Sequence, residues 1–134
     1  MQDKDRELSK YRFSLAQETF ANAKLCIDNQ FYRDSINRSY YAAFYAIKAV
    51  LAIESIDFKR HKDAVGFFNK NYVATGIFSR EVGKNLGRLK MIREESDYSD
   101  FFIASKEDAI KQIDAAGLII KEVKEYLHKK QVII

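Results

Sequence analysis

Apolar residues recur along this chain in alternating steps of three and four, the spacing that lines one face of an α-helix. Five such stretches can be read. The first covers about Asp5 to Asp28, where Ala16, Phe20, Ala23 and Ile27 form one stripe and Asn29 follows as a stop signal. The second covers about Tyr32 to Glu54. The third, about Lys59 to Thr75, carries Val65, Phe68 and Tyr72 on one side, with Gly76 behind it as a terminator. Ser79 is a good N-cap for the fourth, which runs to about Ser96 with Val82, Leu86 and Leu89 inward. Ser105 and Asp108 form a carboxylate version of a capping box for the fifth, in which Ile113, Ala116, Ile120, Val123 and Leu127 keep the spacing. Lys129 and Lys130 suit the negative end of its dipole. The tail QVII, residues 131–134, is too short to classify.

Connections between these stretches are short, apart from the one around Tyr98 to Ala104. Short loops make consecutive helices antiparallel neighbours. The expected fold is therefore all-α: one domain over residues 1–134, an up-and-down antiparallel bundle of four to five helices. Composition agrees. The chain has no proline and only five glycines, too few for the turns that strands require. Its 134 residues suit one domain, large enough to bury a core without staples.

Two places break the pattern. The second helix contains NRSYYAAFYAIKAVL, apolar on almost every side, which marks it as central. Yet it opens with Asn37 and Arg38, whose donors need partners in a packed setting. In the fourth helix the apolar stripe Val82, Leu86, Leu89 continues into Arg93 and then Asp97. Three turns separate Val82 from Arg93, so the guanidinium projects on the core side. Asp97, four residues on, is placed to pair with it. If the second and fourth helices run opposite ways, the two polar sets meet; spacing alone does not fix that geometry.

Charge and cysteine content narrow the setting. The net charge of +4 permits contact with phosphates or RNA without demanding it. Arg80, Lys84 and Arg88 make a basic stripe on the fourth helix, which reads as a solvated face or as a phosphate track. The single cysteine, Cys26, fits a reducing compartment, and no apolar run approaches the ~20 residues of a membrane span. With no leader peptide visible, the expected location is the cytoplasm. There is no zinc-type cluster, phosphate-binding glycine loop or Ser-His-Asp set, so no metal and no cofactor is expected.

The strings NRSYYAAFYAIKAVL, RHKDAVGFF and REESDY together resemble the HEPN domain family, in particular its small stand-alone prokaryotic branch. The likeness spans about Leu8 to Leu127. It implies a bundle of four to five helices, commonly a homodimer, often paired with a minimal nucleotidyltransferase in toxin–antitoxin-type cassettes. Several branches of the family are metal-independent ribonucleases, in which an arginine supports the phosphate and a histidine a few positions later handles the 2′-hydroxyl proton. This chain departs from that pattern. Five to seven positions after Arg93 stand Tyr98, Ser99 and Asp100, and the two histidines, His61 and His128, lie elsewhere.

The resemblance implies a polar groove near a dimer axis, with Arg93, Asp97, Tyr98, Asn37 and Arg38 binding nucleotide or RNA phosphate. Tyr98, after the fourth helix, is by resemblance a candidate acceptor for AMP from the partner nucleotidyltransferase. A lone histidine such as His61 is commonly a surface or capping residue. Its functional alternative faces Arg93 across the bundle, making Arg93 and His61 the catalytic candidates of a degenerate ribonuclease. A third reading is a non-catalytic nucleotide-binding or dimerisation module. His128 reads as structural, and Tyr40, Tyr41 and Tyr45 as core or interface aromatics.

Overall fold

The computed structural model describes residues 1–133. Five α-helices follow one another: α1 (Asp3–Asp28), α2 (Tyr32–Ile53), α3 (His61–Phe68), α4 (Arg80–Tyr98) and α5 (Lys106–Lys129). Among the described residues there is no strand, and no helix is long and apolar enough to cross a membrane. Ile134, the last residue of the tail, lies outside the described residues.

The helix ends are written in the sequence. Ser105 Oγ accepts from Asp108 N at 3.0 Å while the Asp108 carboxylate accepts from Ser105 N at 3.3 Å, a reciprocal cap that starts α5. Ser79 Oγ accepts from Val82 N at 3.4 Å and also donates to Glu122 at 2.6 Å, so one hydroxyl caps α4 and ties it to α5. The third helix differs from the expected single run over 59–75. Lys59 and Arg60 stay outside it, and after Phe68 the chain widens into a π-turn over Asn69–Val73. The wider turn accompanies an aromatic stack in which Phe68 and Tyr72 lie 5.4 Å apart with Phe78 5.1 Å from Phe68. Gly76, at φ +85°, turns the chain toward α4.

Burial is concentrated on α2, which touches α1, α3, α4 and α5. Ala42, Ala43, Ala46, Ala49 and Ala52 are all buried, and their small side chains let the neighbouring backbones approach. Ile36, Ile47, Val50 and Leu51 fill the space between, each worth about 1.5–3 kcal/mol when removed from water. Polar stitches fix the α1–α2 pair at both ends. Ser9 Oγ donates to Ala49 O at 2.7 Å, and Ser35 Oγ donates to Ala23 O at 2.8 Å. Low numbers on α1 thus meet high numbers on α2, and the two helices are antiparallel. α1 and α4 make no contact among the described residues, while α2 and α5 press together between them.

Candidate functional site

Helical phase aims Arg93 inward from α4. Val82, Leu86 and Leu89 on the same stripe are fully buried, and Arg93 continues that stripe with its side chain 20% exposed. It meets the N-terminal half of α2. Arg93 Nη2 donates to the Tyr41 hydroxyl at 3.1 Å. Its Nε lies 2.9 Å from Asp97 Oδ2, a close ion pair without the alignment of a directed hydrogen bond. The guanidinium carbon sits 5.4 Å from the centre of the Tyr40 ring and 5.3 Å from that of Tyr41. Both rings stand edge to face, 5.2 Å apart at 79°, and present π density to the cation. Burial pushes the Tyr40 hydroxyl up to about 12, although the Arg93 charge pulls the other way.

His61, the first residue of α3, closes the other side of the same aromatic wall. Its ring packs on Phe44 with centres 4.0 Å apart and meets Tyr41 edge-on at 5.6 Å. Burial holds its pKa below the usual value, and the charges of Arg93 and then Lys48 lower it further. His61 is therefore a neutral imidazole near pH 7, close enough to Arg93 to feel its charge. The loop that delivers α3 is itself anchored. Asp57 accepts from Lys48 Nζ at 2.6 Å and from Arg12 Nη2 at 3.2 Å, while Arg12 Nη1 donates to Lys48 O at 3.2 Å.

Three helices thus place a fixed guanidinium, two tyrosines and an uncharged imidazole around one aromatic wall. A guanidinium already oriented by a hydroxyl and a carboxylate can take a phosphate oxygen with little rearrangement. A neutral imidazole can accept a proton. Among the described residues no group of three or more His, Cys, Asp or Glu side chains is placed to hold a metal ion.

The other candidate residues distribute unevenly. Asn37 is half-buried on α2, one turn before Tyr41 and on its stripe. Tyr98 ends α4 with 77% exposure, open to solvent. Arg38 is not brought to Arg93. It points toward the end of α1 and lines a cleft with Asn22, Cys26 and Asn29, because one residue of helix turns it about 100° away from Asn37. Arg80, Lys84 and Arg88 are exposed along α4, and His128 is exposed in the last turn of α5. Sequence reasoning took Tyr40 and Tyr41 as packing residues and did not assign Phe44 to the site. The signal was present in the stripe Asn37, Tyr41, Phe44, Lys48, which gives an inward arginine an acceptor and a histidine a ring to stack on.

Known proteins are similar to this sequence over most of its length. A UPF0332 protein of Thermotoga maritima is 29% identical over 132 residues, covering 92% of this chain and 98% of the relative. Two proteins of Methanocaldococcus jannaschii, each named as a candidate toxin, are 27% identical over 122 residues and 25% identical over 128 residues. The first alignment covers 91% of this chain and 90% of the relative, the second 96% and 86%. The model of the HEPN domain family matches residues 9–126, from the second turn of α1 to the last turn of α5. With that match over nearly its full length and an all-helical bundle to go with it, the chain belongs to the HEPN domain family.

Proposed function

We propose that this chain is the toxin-side member of a two-component system, working with a nucleotidyltransferase partner and binding a nucleotide or RNA phosphate at Arg93. The observation that carries the reading is the guanidinium of Arg93, mostly buried yet aimed over Tyr40 and Tyr41 beside the neutral ring of His61. The guanidinium carries five N–H donors, and the Tyr41 hydroxyl and Asp97 carboxylate engage only part of them, so a phosphate oxygen can take the rest. The names of the Methanocaldococcus jannaschii relatives support the toxin side. Exposed Phe101 and Ile103, just after the end of the helix that carries Arg93, support a homodimer in which two such sites share a groove. Tyr98, free in solvent, is accessible to nucleotidyl transfer. A cytoplasmic location is consistent with the single free thiol.

The same geometry favours a second reading, a metal-independent ribonuclease. Within one helix the arginine-to-histidine spacing is missing, but His61 arrives from α3 to the same wall. In that reaction neutral His61 takes the proton of an RNA 2′-hydroxyl. The 2′-oxygen attacks the adjacent phosphorus, the bond to the 5′-oxygen breaks, and the leaving oxygen takes a proton from water, whose hydroxide takes back the proton held on His61 and restores the neutral ring. The products are a 2′,3′-cyclic phosphate and a 5′-hydroxyl, with Arg93 offsetting charge on the phosphorane.

Two measurements test these readings. Co-expression with the neighbouring open reading frame should give a co-purifying nucleotidyltransferase complex that incorporates AMP into the wild type and not into Tyr98→Phe. Absence of both complex and labelling would overturn the two-component reading. Purified protein incubated with RNA should cleave it, with losses of at least a hundredfold in His61→Ala and Arg93→Ala. Undiminished cleavage by both variants would remove the ribonuclease reading.

A further inference from the structure

The far side of α4 carries a different feature. Lys84 and Arg93 are separated by about two and a half helical turns, so they stand on opposite faces of the helix. On the Lys84 side an open groove of about 450 Å³ runs between α4 and the π-turn. Val73, Ala74 and Gly83 supply its apolar surface, and Asn69, Arg80 and Lys84 its polar surface.

The groove is built into the packing. A Cβ at Gly83 would meet Val73 Cγ1 at 3.1 Å, so glycine is what lets the π-turn lie directly on α4. Tyr72 and Phe78 are buried on either side of this stretch and anchor it, which leaves Val73 half-buried and Ala74 exposed. A π-turn inside helical structure recurs at functional sites, where it re-aims the side chains around it. Here it turns two aliphatic residues to the outside, beside a glycine.

The rim is cationic. Arg80, at the start of α4, and Arg88, one turn beyond Lys84, are exposed and have no ion-pair partner among the described residues. Lys84 has only Glu81, at 3.9 Å, an exposed contact of little energetic weight. Glu122, the carboxylate that reaches this end of α4 from α5, is taken up by Ser79.

An apolar strip edged by unpaired cations complements a ligand that is apolar along its middle and acidic at its sides. An open groove beside a helix suits a second helix laid along it, anchored by residues spaced three and four apart. Nucleic acid fits less well. No aromatic side chain lines the groove to stack a base, and phosphate contacts have no use for an aliphatic floor.

We propose that the groove between the π-turn and α4 docks an acidic amphipathic helix of a partner protein. Its apolar stripe lies on Val73, Ala74 and Gly83, and its flanking carboxylates meet Arg80 and Lys84. This surface is separate from the Arg93 site and does not depend on its reading.

A displayed library of amphipathic helical peptides, selected on the full chain, tests it. Selection should enrich Asp and Glu beside an apolar stripe. Amide NMR with the tightest peptide should show shifts at Val73, Ala74, Gly83 and Lys84. Ala74→Glu places a carboxylate on the exposed floor without touching the core, so it should keep its thermal stability and lose at least tenfold in affinity. The double variant Arg80→Ala with Lys84→Ala should lose a similar factor, and added salt should weaken the wild type more than this variant. No enrichment, enrichment of uncharged or basic peptides, shifts confined to other surfaces, or undiminished affinity in both variants would overturn the proposal. So would a single-stranded oligonucleotide that binds at these residues while no acidic peptide does, which would make the stripe a phosphate track.

Discussion

Arg93 Nη2 donates to the Tyr41 hydroxyl at 3.1 Å, joining α4 to α2 across 52 positions of sequence. A hydrogen bond to a charged group is worth about 1.5–3 kcal/mol when shielded from water, and partial solvent access lowers it. Tyr41→Phe keeps the ring under the guanidinium and removes only the acceptor. It should destabilise the fold by about 1 kcal/mol. Arg93→Met keeps the packing stem and removes the charge. If the two residues act as one unit, a denaturant double-mutant cycle should return a coupling energy of about 0.5–1.5 kcal/mol. Strict additivity would show that the bond does not contribute.

The helix pattern made this bundle readable because α2 and α4 carry stripes that only a helix can gather onto one face. The inward phase of Arg93 and its pairing with Asp97 followed from counting turns alone, since both lie on one element. Its partnership with Tyr41 did not, because the relative direction of α2 and α4 is a property of the loops and the core between them. His61 was harder still. Its position depends on the loop 54–60, where Ser55 adopts φ 55° and Asp57 is clamped by Lys48 and Arg12, and no local pattern encodes that path. Arg38 went the other way. Adjacency to Asn37 in the sequence suggested a shared site, but adjacent residues on a helix face different neighbours.

His61 supplies a pH test. Its pKa is lowered in the folded protein, first by burial and then by Arg93 and Lys48. The native state therefore binds fewer protons than the unfolded chain once the pH falls below the ordinary histidine value of about 6.5. Stability is fully present above that value and declines as the pH drops through it, levelling off below the folded pKa. Denaturant midpoints measured from pH 7.5 to 5 should fall for the wild type. In His61→Gln the decline over this window should be smaller. Two-dimensional NMR should place the His61 midpoint below 6.5, and in Arg93→Met that midpoint should rise.

The clamp on Asp57 bears on the site at one remove. Lys48 and Arg12 hold the Asp57 carboxyl below the usual carboxylate range, the Lys48 hydrogen bond being the largest cause. Asp57 is more than half exposed, so Asp57→Ala should cost less than about 1 kcal/mol in global stability. Its larger effect should be local. Amide exchange across residues 54–60 should quicken, and the ring contact between His61 and Phe44 should loosen, seen as a His61 pKa moving back toward 6.5. Raising the ionic strength from 0.05 to 0.5 M should shrink the difference between variant and wild type. Unchanged exchange in this loop would show that the clamp does not position His61.

Two glycines make opposite predictions from the same physics. Gly87 lies inside α4 on its exposed side, and a methyl group added there meets nothing within 4 Å. Glycine in a helix interior costs about 0.5–1 kcal/mol relative to alanine, because the unfolded chain has more freedom to lose. Gly87→Ala should therefore raise stability by that amount. Gly76 also has open space around its Cα, but its backbone sits at φ +85°, where a Cβ strains against the chain itself. Gly76→Ala should lower stability by about 1 kcal/mol and loosen the turn that leads into α4. Thermal unfolding of both variants compares the two effects directly. Since α4 carries Arg93, a stabilised Gly87→Ala that leaves the His61 pKa unchanged would show that the place of that guanidinium is set by the bundle and not by flexibility in the helix.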